Sequence, residues 1–480
     1  MKKLWLAVVI SFLTSLGFSK SVGIWQDNRS HISDGMIMTL EQAGWETVIL
    51  KGRDLSNEEK LASLDVIFLP GGWHGYFYAD FAARRAMVKF VAGGKGILAG
   101  AFRSGWVRTA NRPLFPEVGA VYNRVNGPFV SPYGKSELAR AIDKPFCPGG
   151  WDHLVVDVGP KGKVFAVNGD DPVGVFGEVY GGRYVVFGAF IGMDAKTEPM
   201  PETDGNALLA MLDWLAFAKK LSPKAVAKHQ NKAELDFLRR ELIIDWTQDS
   251  RGPDRGSGVL PQVYHTYTLP LESHLYTLRY MSGYLSDAQK SEVSPIISNL
   301  EASLSRLEKR YDRMIKAKKA SINKMKFDQL VADNPYIQST NLAEKVAAVA
   351  DKTEDEIKKR VQWLRRPGNY GTKDLALYLY EDEISESFMP KSEFDQLSSE
   401  ALKVINKMKP VVARARRAEE ATELREDNAT INVHIKNCSS DSVEVRRSAT
   451  LELGRIGNKR AAPTLIKLLD DADEQVRVNA

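Results

Sequence analysis

The chain of 480 residues has little cysteine, little histidine and, beyond its first residues, no long apolar run. Two cysteines, Cys147 and Cys438, cannot build a disulfide framework. They fall in segments that read as different domains, so each is expected to be a buried or incidental thiol rather than half of a bridge. Seven histidines, none four residues from another, provide no close ligand pair for zinc or iron. No segment after the first 20 residues is long and apolar enough to span a bilayer. The net charge of +5 is spread along the chain, which argues against a nucleic-acid partner. With 44% hydrophobic and 26% charged residues the rest is ordinary globular composition, and the length predicts two to four domains.

The N-terminal stretch MKKLWLAVVISFLTSLGFSK has the layout of a secretory signal. Lys2 and Lys3 form a positive end, Leu4 to Phe18 is apolar, and Gly17 and Ser19 are the small residues of a cut after Ser19. Residues 1–19 are therefore expected to be removed and the protein exported, periplasmic or extracellular. No cysteine follows the run, which excludes a lipoprotein cut.

From residue 20 to about 221, short apolar strands alternate with helical segments. SVGIW, ETVIL, DVIFLPGG and GILAGAF read as strands, with helices over 31–44 and in FAARRAMVKFVAGG. DHLVVDV, KVFAVN, GVFGEVY and RYVVFGAF follow, then a closing helix, ALLAMLDWLAFAKKL. This alternation predicts a doubly wound, mostly parallel α/β sheet of flavodoxin-like type.

Residues 222–425 read as all-α. A Gly/Pro/Ser-rich loop occupies 247–262, and Thr353 with Glu356 forms a capping box opening EIKKRVQWL. Leu300, Leu304, Leu307, Tyr311 and Met314 form a seam of about two heptads, too short for a coiled coil and suited to a helical hairpin. Tyr276, Tyr280 and Tyr284, with His274 nearby, read as a packing face, with a carbohydrate platform as the sharper alternative. Lys316, Lys318, Lys319, Lys324 and Lys326 read as a solvated helix face, with an acidic polymer as the alternative partner.

Residues 426–480 carry an internal repeat. EVRRSA from Glu444 returns as QVRVNA from Gln475, 31 positions on, with LELGRIGNKRAAPTLIKLLDD between. Two helices joined near Gly457 and Asn458 resemble a short HEAT repeat, with Val445-Arg446 and Val476-Arg477 as the recurring pair. One period before Ile466 and Leu469 stand Ile435 and Cys438, which places Cys438 in a core slot of a preceding, degenerate repeat. The pattern predicts an α-solenoid with a protein partner, and further repeats beyond Ala480.

DVIFLPGGWHGYF, FVAGGKGILAGAF and GGRYVVFGAF together resemble the class I glutamine amidotransferase-like superfamily over residues 21–220, with the biotin–protein ligase N-terminal-like domain and the ThuA-like group as the nearest subgroups. The resemblance implies a nucleophilic cysteine in a Gly-x-Cys-x-Gly elbow and a histidine base after the last strand. Gly96-Ile97-Leu98-Ala99-Gly100 puts Leu98 in the cysteine position, with Gly100 or Phe102 as slipped registers. Gly188-Ala189-Phe190-Ile191-Gly192 puts Phe190 in the histidine position. None of these can attack a carbonyl or take a proton. Ser104 is the only hydroxyl near the elbow before Thr109, with no evident base beside it.

Ligands of doubly wound sheets bind outside the carboxyl ends of the strands. Asp27, Asn28, Arg29 and His31 follow the first strand, Trp73, His74 and Tyr76 follow LPGG, and Arg103 and Ser104 follow the elbow. These polar and aromatic groups could hold a sugar or other small polar ligand; equally, Asp27 and Asn28 could serve as helix caps and Trp73 could cover a sheet edge. Asp27, His31 and His74 lack metal-ligand spacing, and no cofactor is expected. The sequence points to a non-catalytic binding or scaffold protein. The alternative is a ThuA-like carbohydrate-active enzyme using Asp27, His31, His74 or Arg103.

Overall fold

A computed structural model of the chain describes residues 20–26, 33–52, 54–71, 81–100, 113–127, 129–148, 152–192, 198–216, 220–248, 258–333 and 384–480. The chain divides into two compact units, residues 1–265 with 309–388, and residues 266–308 with 389–480.

In the first unit, β1 (Lys20–Trp25), β2 (Trp45–Leu50), β3 (Val66–Leu69), β4 (Gly96–Gly100) and β10 (Gly182–Phe187) run parallel in the order β2-β1-β3-β4-β10. β9 (Asp171–Val179), β8 (Lys163–Asn168) and β6 (Ser131–Pro132) extend the sheet antiparallel beyond β10. β5 (Gly119–Asn126) and β7 (Asp152–Val158) form a separate antiparallel pair. Parallel strands covered on both faces must be apolar throughout, and every residue of β3 and β4 is buried. The fold is thus the mixed, mostly parallel α/β sheet that the alternation predicts.

Helices α1 (Asp34–Gln42), α2 (Glu58–Ala62), α3 (Phe81–Ala92), α4 (Glu137–Ile142) and α5 (Glu202–Ala216) accompany the sheet. α5 is apolar on most of its surface because it lies directly on the strands. A methyl group at Gly96 would run into Leu215, which shows how closely helix and strand approach. Trp214 packs edge-on against Phe176, ring centres 5.0 Å apart, and its indole N–H donates to Glu137. The β9–β10 hairpin turns on Tyr180 and Gly181, whose φ values of +50° and +83° are those of a tight two-residue turn. The Tyr180 hydroxyl lies 3.0 Å from both Glu117 Oε1 and Asp236 Oδ2, and burial between these carboxylates pushes its pKa far up.

Helix α6 (Pro223–Thr247) lies on α3. Phe237 meets Phe81 at 5.2 Å, and Arg84 pairs with Glu241 at 2.5 Å with both side chains almost wholly buried. α7 (Val259–Ser282), α8 (Asp287–Lys324) and α9 (Phe327–Asp333) follow.

In the second unit, the part of α7 from Thr266 and of α8 up to Glu308 packs with α10 (Lys391–Asn437). Arg279–Glu301, Arg306–Glu393 and Lys407–Glu292 tie the three helices together. α11 (Val443–Ile456), α12 (Ala462–Leu468) and α13 (Glu474–Asn479) form the tail. Gly457 ends α11 at φ +68°, a left-handed cap that glycine adopts without a Cβ penalty.

Two expectations change: the tyrosine face of α7 and the bounds of one helix. The segment before α11, with Cys438 at its end, is one continuous 47-residue helix. Tyr276 and Tyr280 are exposed, 75% and 46%, because Leu271, Leu275, Leu278 and Met281 take the buried face of α7. Cys147 is an exposed free thiol, the incidental one of the two alternatives, and Cys438 is buried in the tail core as expected. The helix expected over 31–44 is described as Asp34–Gln42. The capping box at Thr353 lies outside the described residues.

Candidate functional site

The carboxyl ends of β1, β3, β4 and β10 point to one edge of the sheet. Asp27, Asn28, Arg29, His31, Trp73, His74, Tyr76, Arg103 and Ser104 follow those strands in sequence and all lie outside the described residues. What is described is the strand ends themselves. A side chain at Gly100 would press on the Gly71 N–H and the Leu69 carbonyl at 3.1 and 3.2 Å, so the ends of β3 and β4 approach backbone to backbone.

Leu98 is in mid-strand, opposite Phe68 on one side and Val185 on the other, with no exposed surface. It fills the core between sheet and helix, and β4 continues two residues past it to Gly100. Phe190 follows the end of β10 and is 4% exposed. Both positions that the resemblance assigns to chemistry hold buried hydrocarbon.

The segment after β10 is held by two neighbours. The Leu154 N–H donates to the Gly188 carbonyl at 2.8 Å, and Ser33 Oγ donates to the Gly192 carbonyl at 2.6 Å. Ser33 also caps α1 by accepting from the Met36 N–H at 3.2 Å. The first contact places His153. β7 begins beside Gly188, at the carboxyl edge, and His153 is fully buried there. Asp204, in the first turn of α5, accepts from the Cys147 N–H at 3.2 Å.

Three residues of this region escape a reading of strand-end loops: His153, Asp204 and, from α6, Asp245. His153 and Asp204 come from elements whose placement depends on tertiary pairing. Asp245 did carry a signal, since Phe237, Glu241 and Asp245 recur every four residues and put two acids on the apolar face of α6; both acids are buried. Among the described residues no three histidine, cysteine or carboxylate side chains are grouped to hold a metal ion.

The tail offers a second kind of site. Ile431, Cys438, Ala449, Leu453, Ala461, Leu468 and Val476 form its core. Arg446 makes a two-pronged bond to Asp471, 2.9 Å on each arm, and Arg447 does the same to Asp473 at 2.8 and 2.6 Å. These guanidinium partners lower the pKa of both carboxyls, that of Asp473 to about 2. Such forked pairs fix the angle between successive helices. Ile466, Leu469 and Val478 stand exposed beside them.

A family model for HEAT repeats matches residues 401–480, reaching back into α10. None of the curated proteins compared with the chain matches it. Among solved structures, a cytoplasmic protein from Salmonella typhimurium LT2 is similar at 14% identity and a TM-score of 0.33, covering 42% of this chain and all of that one. A ThuA-like protein from Bacteroides uniformis is similar at 14% identity and 0.30, covering 41% of this chain and 91% of that one. A glutamine amidotransferase from Thermotoga maritima is similar at 14% identity and 0.27, covering 46% and 93%. At this level the likenesses say nothing of chemistry, and the fold class stands on the strand order itself.

Proposed function

We propose that this is an exported, non-catalytic binding or scaffold protein. A degenerate amidotransferase-like domain, of the kind found at the N-terminus of biotin–protein ligases or in the ThuA-like group, is joined to repeats that engage a protein partner. One observation carries the reading: Leu98 and Phe190, which the resemblance puts in the places of nucleophile and base, are both buried and apolar. Restoring acyl-transfer chemistry would need a lone-pair donor and a base at the strand ends, and neither position supplies one. The repeats support the second half, since stacked helix pairs expose an extended surface suited to protein partners.

A glutamine-hydrolysis assay on the full chain tests the first half. No turnover above background is expected; turnover lost on Ser104→Ala would overturn the reading. A thermal-shift screen against sugars, nucleotides and amino acids tests the strand-end loops, because a ligand that binds the native state raises the midpoint. A sugar-dependent rise abolished by Asp27→Ala or Arg103→Ala would favour a carbohydrate-active enzyme instead.

A further inference from the structure

The positive excess of the chain is concentrated on one helix. Residues 309–326 hold eight lysines and arginines and one acid, Asp312, a net +7 against +5 for the whole chain. Outside this stretch the chain is slightly acidic. The stretch is the C-terminal part of α8 with the two residues after it, all within the first unit. Three contacts define its packed side. Tyr311 stacks on Tyr264 with ring centres 4.4 Å apart, Lys318 lies over the Trp246 ring at 3.4 Å, and Ile322 is 2% exposed. At about 100° per residue, Lys309, Arg313, Lys316 and Lys324 fall on the opposite side, within about 80° of one another. All four are exposed. Lys319, also exposed, flanks them beside Asp312, and the exposed Lys326 follows the helix end.

These cations differ from others on the helices. Arg279, Arg306 and Lys407 each meet a carboxylate, and Arg446 and Arg447 each grip one with both arms. Lys309, Arg313, Lys316, Lys319, Lys324 and Lys326 pair with no carboxylate among the described residues. Like charges three and four residues apart destabilise a helix. Attraction to the helix C-terminus offsets this only in the last turn, which Lys324 occupies and Lys309, Arg313 and Lys316 do not. The charge of the stripe is therefore uncompensated within the described fold.

We propose that this stripe binds a linear acidic polysaccharide lying along α8. From Lys309 to Lys324 the stripe runs about 22 Å at 1.5 Å per residue, a straight track for an extended polyanion. Five of the six exposed cations are lysines, mobile point charges that follow such a chain without the fixed fork of arginine. A nucleic acid fits less well, because no aromatic ring stands exposed among them to stack on a base. A membrane surface also fits less well. The exposed residues between the cations are Ala317, Ala320, Ser321 and Asn323, with no large apolar side chain to insert. The inference deepens the binding half of the proposed function, and the choice of a polysaccharide rests on its export half.

The probes are labelled polygalacturonate and dextran sulfate oligomers, titrated by anisotropy into the full chain at about 50 and about 200 mM salt. Saturable binding is expected, several-fold weaker at the higher salt. Lys309→Gln, Arg313→Gln and Lys316→Gln together should weaken it by at least about ten-fold. Lys403→Gln, Lys409→Gln and Arg414→Gln remove the same charge from exposed positions of α10 and should change it by less than about two-fold, since distant charges are screened. The thermal midpoint of the first triple variant should hold or rise, because like charges have been removed. A fall of several degrees would mark the cations as structural and overturn the proposal. So would the absence of binding to both probes, or an equal loss in the two triple variants. Tighter binding of an oligo-dT strand or of phosphatidylglycerol vesicles at equal salt would overturn it as well. Failure of export is read separately, by N-terminal sequencing of secreted protein, and glutamine turnover would leave the stripe untouched.

Discussion

Arg84 and Glu241 illustrate how much one pair of residues decides. The two side chains, 4% and 1% exposed, meet at 2.5 Å, with the Arg84 guanidinium 5.6 Å from the Phe237 ring centre. Two charges removed from water depend on their pairing and on the other interactions each side chain makes. Removing one takes a counter-charge out of a dry site, so Glu241→Ala is expected to cost about 3–5 kcal/mol in denaturant unfolding. Arg84→Met with Glu241→Leu should recover most of that loss, since apolar pairs of similar volume are well tolerated. His274 provides a pH dependence. Partial burial beside Ser398 Oγ, 3.0 Å from Nε2, lowers its pKa. A histidine lowered on folding takes up its proton more readily when unfolded. Stability should therefore fall as pH drops through the ordinary histidine range and level off below the folded pKa. Melting from pH 8 to pH 5 should show this slope in the parent and a shallower one in His274→Gln.

At the scale of elements, the capping residues join parts that are distant in sequence. Ser33 satisfies a free N–H at the start of α1 and, through its own proton, holds the Gly192 carbonyl. Ser33→Ala loses both and should cost about 1–2 kcal/mol by equilibrium unfolding, against a few tenths for Ser33→Thr. The segment Gly188–Gly192 is pinned as tightly at its other end. A Cβ on Gly188 would overlap the Leu154 carbonyl, so only glycine lets β7 close over the end of β10. The same closure carries His153 to the carboxyl edge. Strand existence was legible here from DHLVVDV alone, but its place was not, because an antiparallel pair formed outside the main sheet leaves no periodic mark. Likewise, the tyrosine stripe of α7 and its leucine stripe are both helically spaced, and only the packing partner decides which one is buried.

For the whole molecule, the expected export signal makes a prediction at the N-terminus. β1 begins at Lys20, directly after the expected cut, and Lys20 Nζ bonds Asp213 of α5 at 2.7 Å. N-terminal sequencing of protein secreted from a bacterial host should return Lys20, and a chain starting there should melt within about 2 °C of one that retains residues 1–19, since a cleavable segment contributes no core. A midpoint several degrees lower for the shorter chain would show that the segment is part of the fold.

The sequence by itself determined the alternating α/β domain, the helical region and the 31-residue repeat, because hydrophobic period and turn residues are local signals. It also determined that Leu98 and Phe190 cannot perform the chemistry the resemblance implies, since that follows from side-chain identity. Only tertiary structure decided that both are buried, that His153 shares the carboxyl edge, and that Arg446 and Arg447 fork onto Asp471 and Asp473. Those facts depend on which distant residues are brought within a few ångströms, and that is set by packing against partners far along the chain, which no local pattern records.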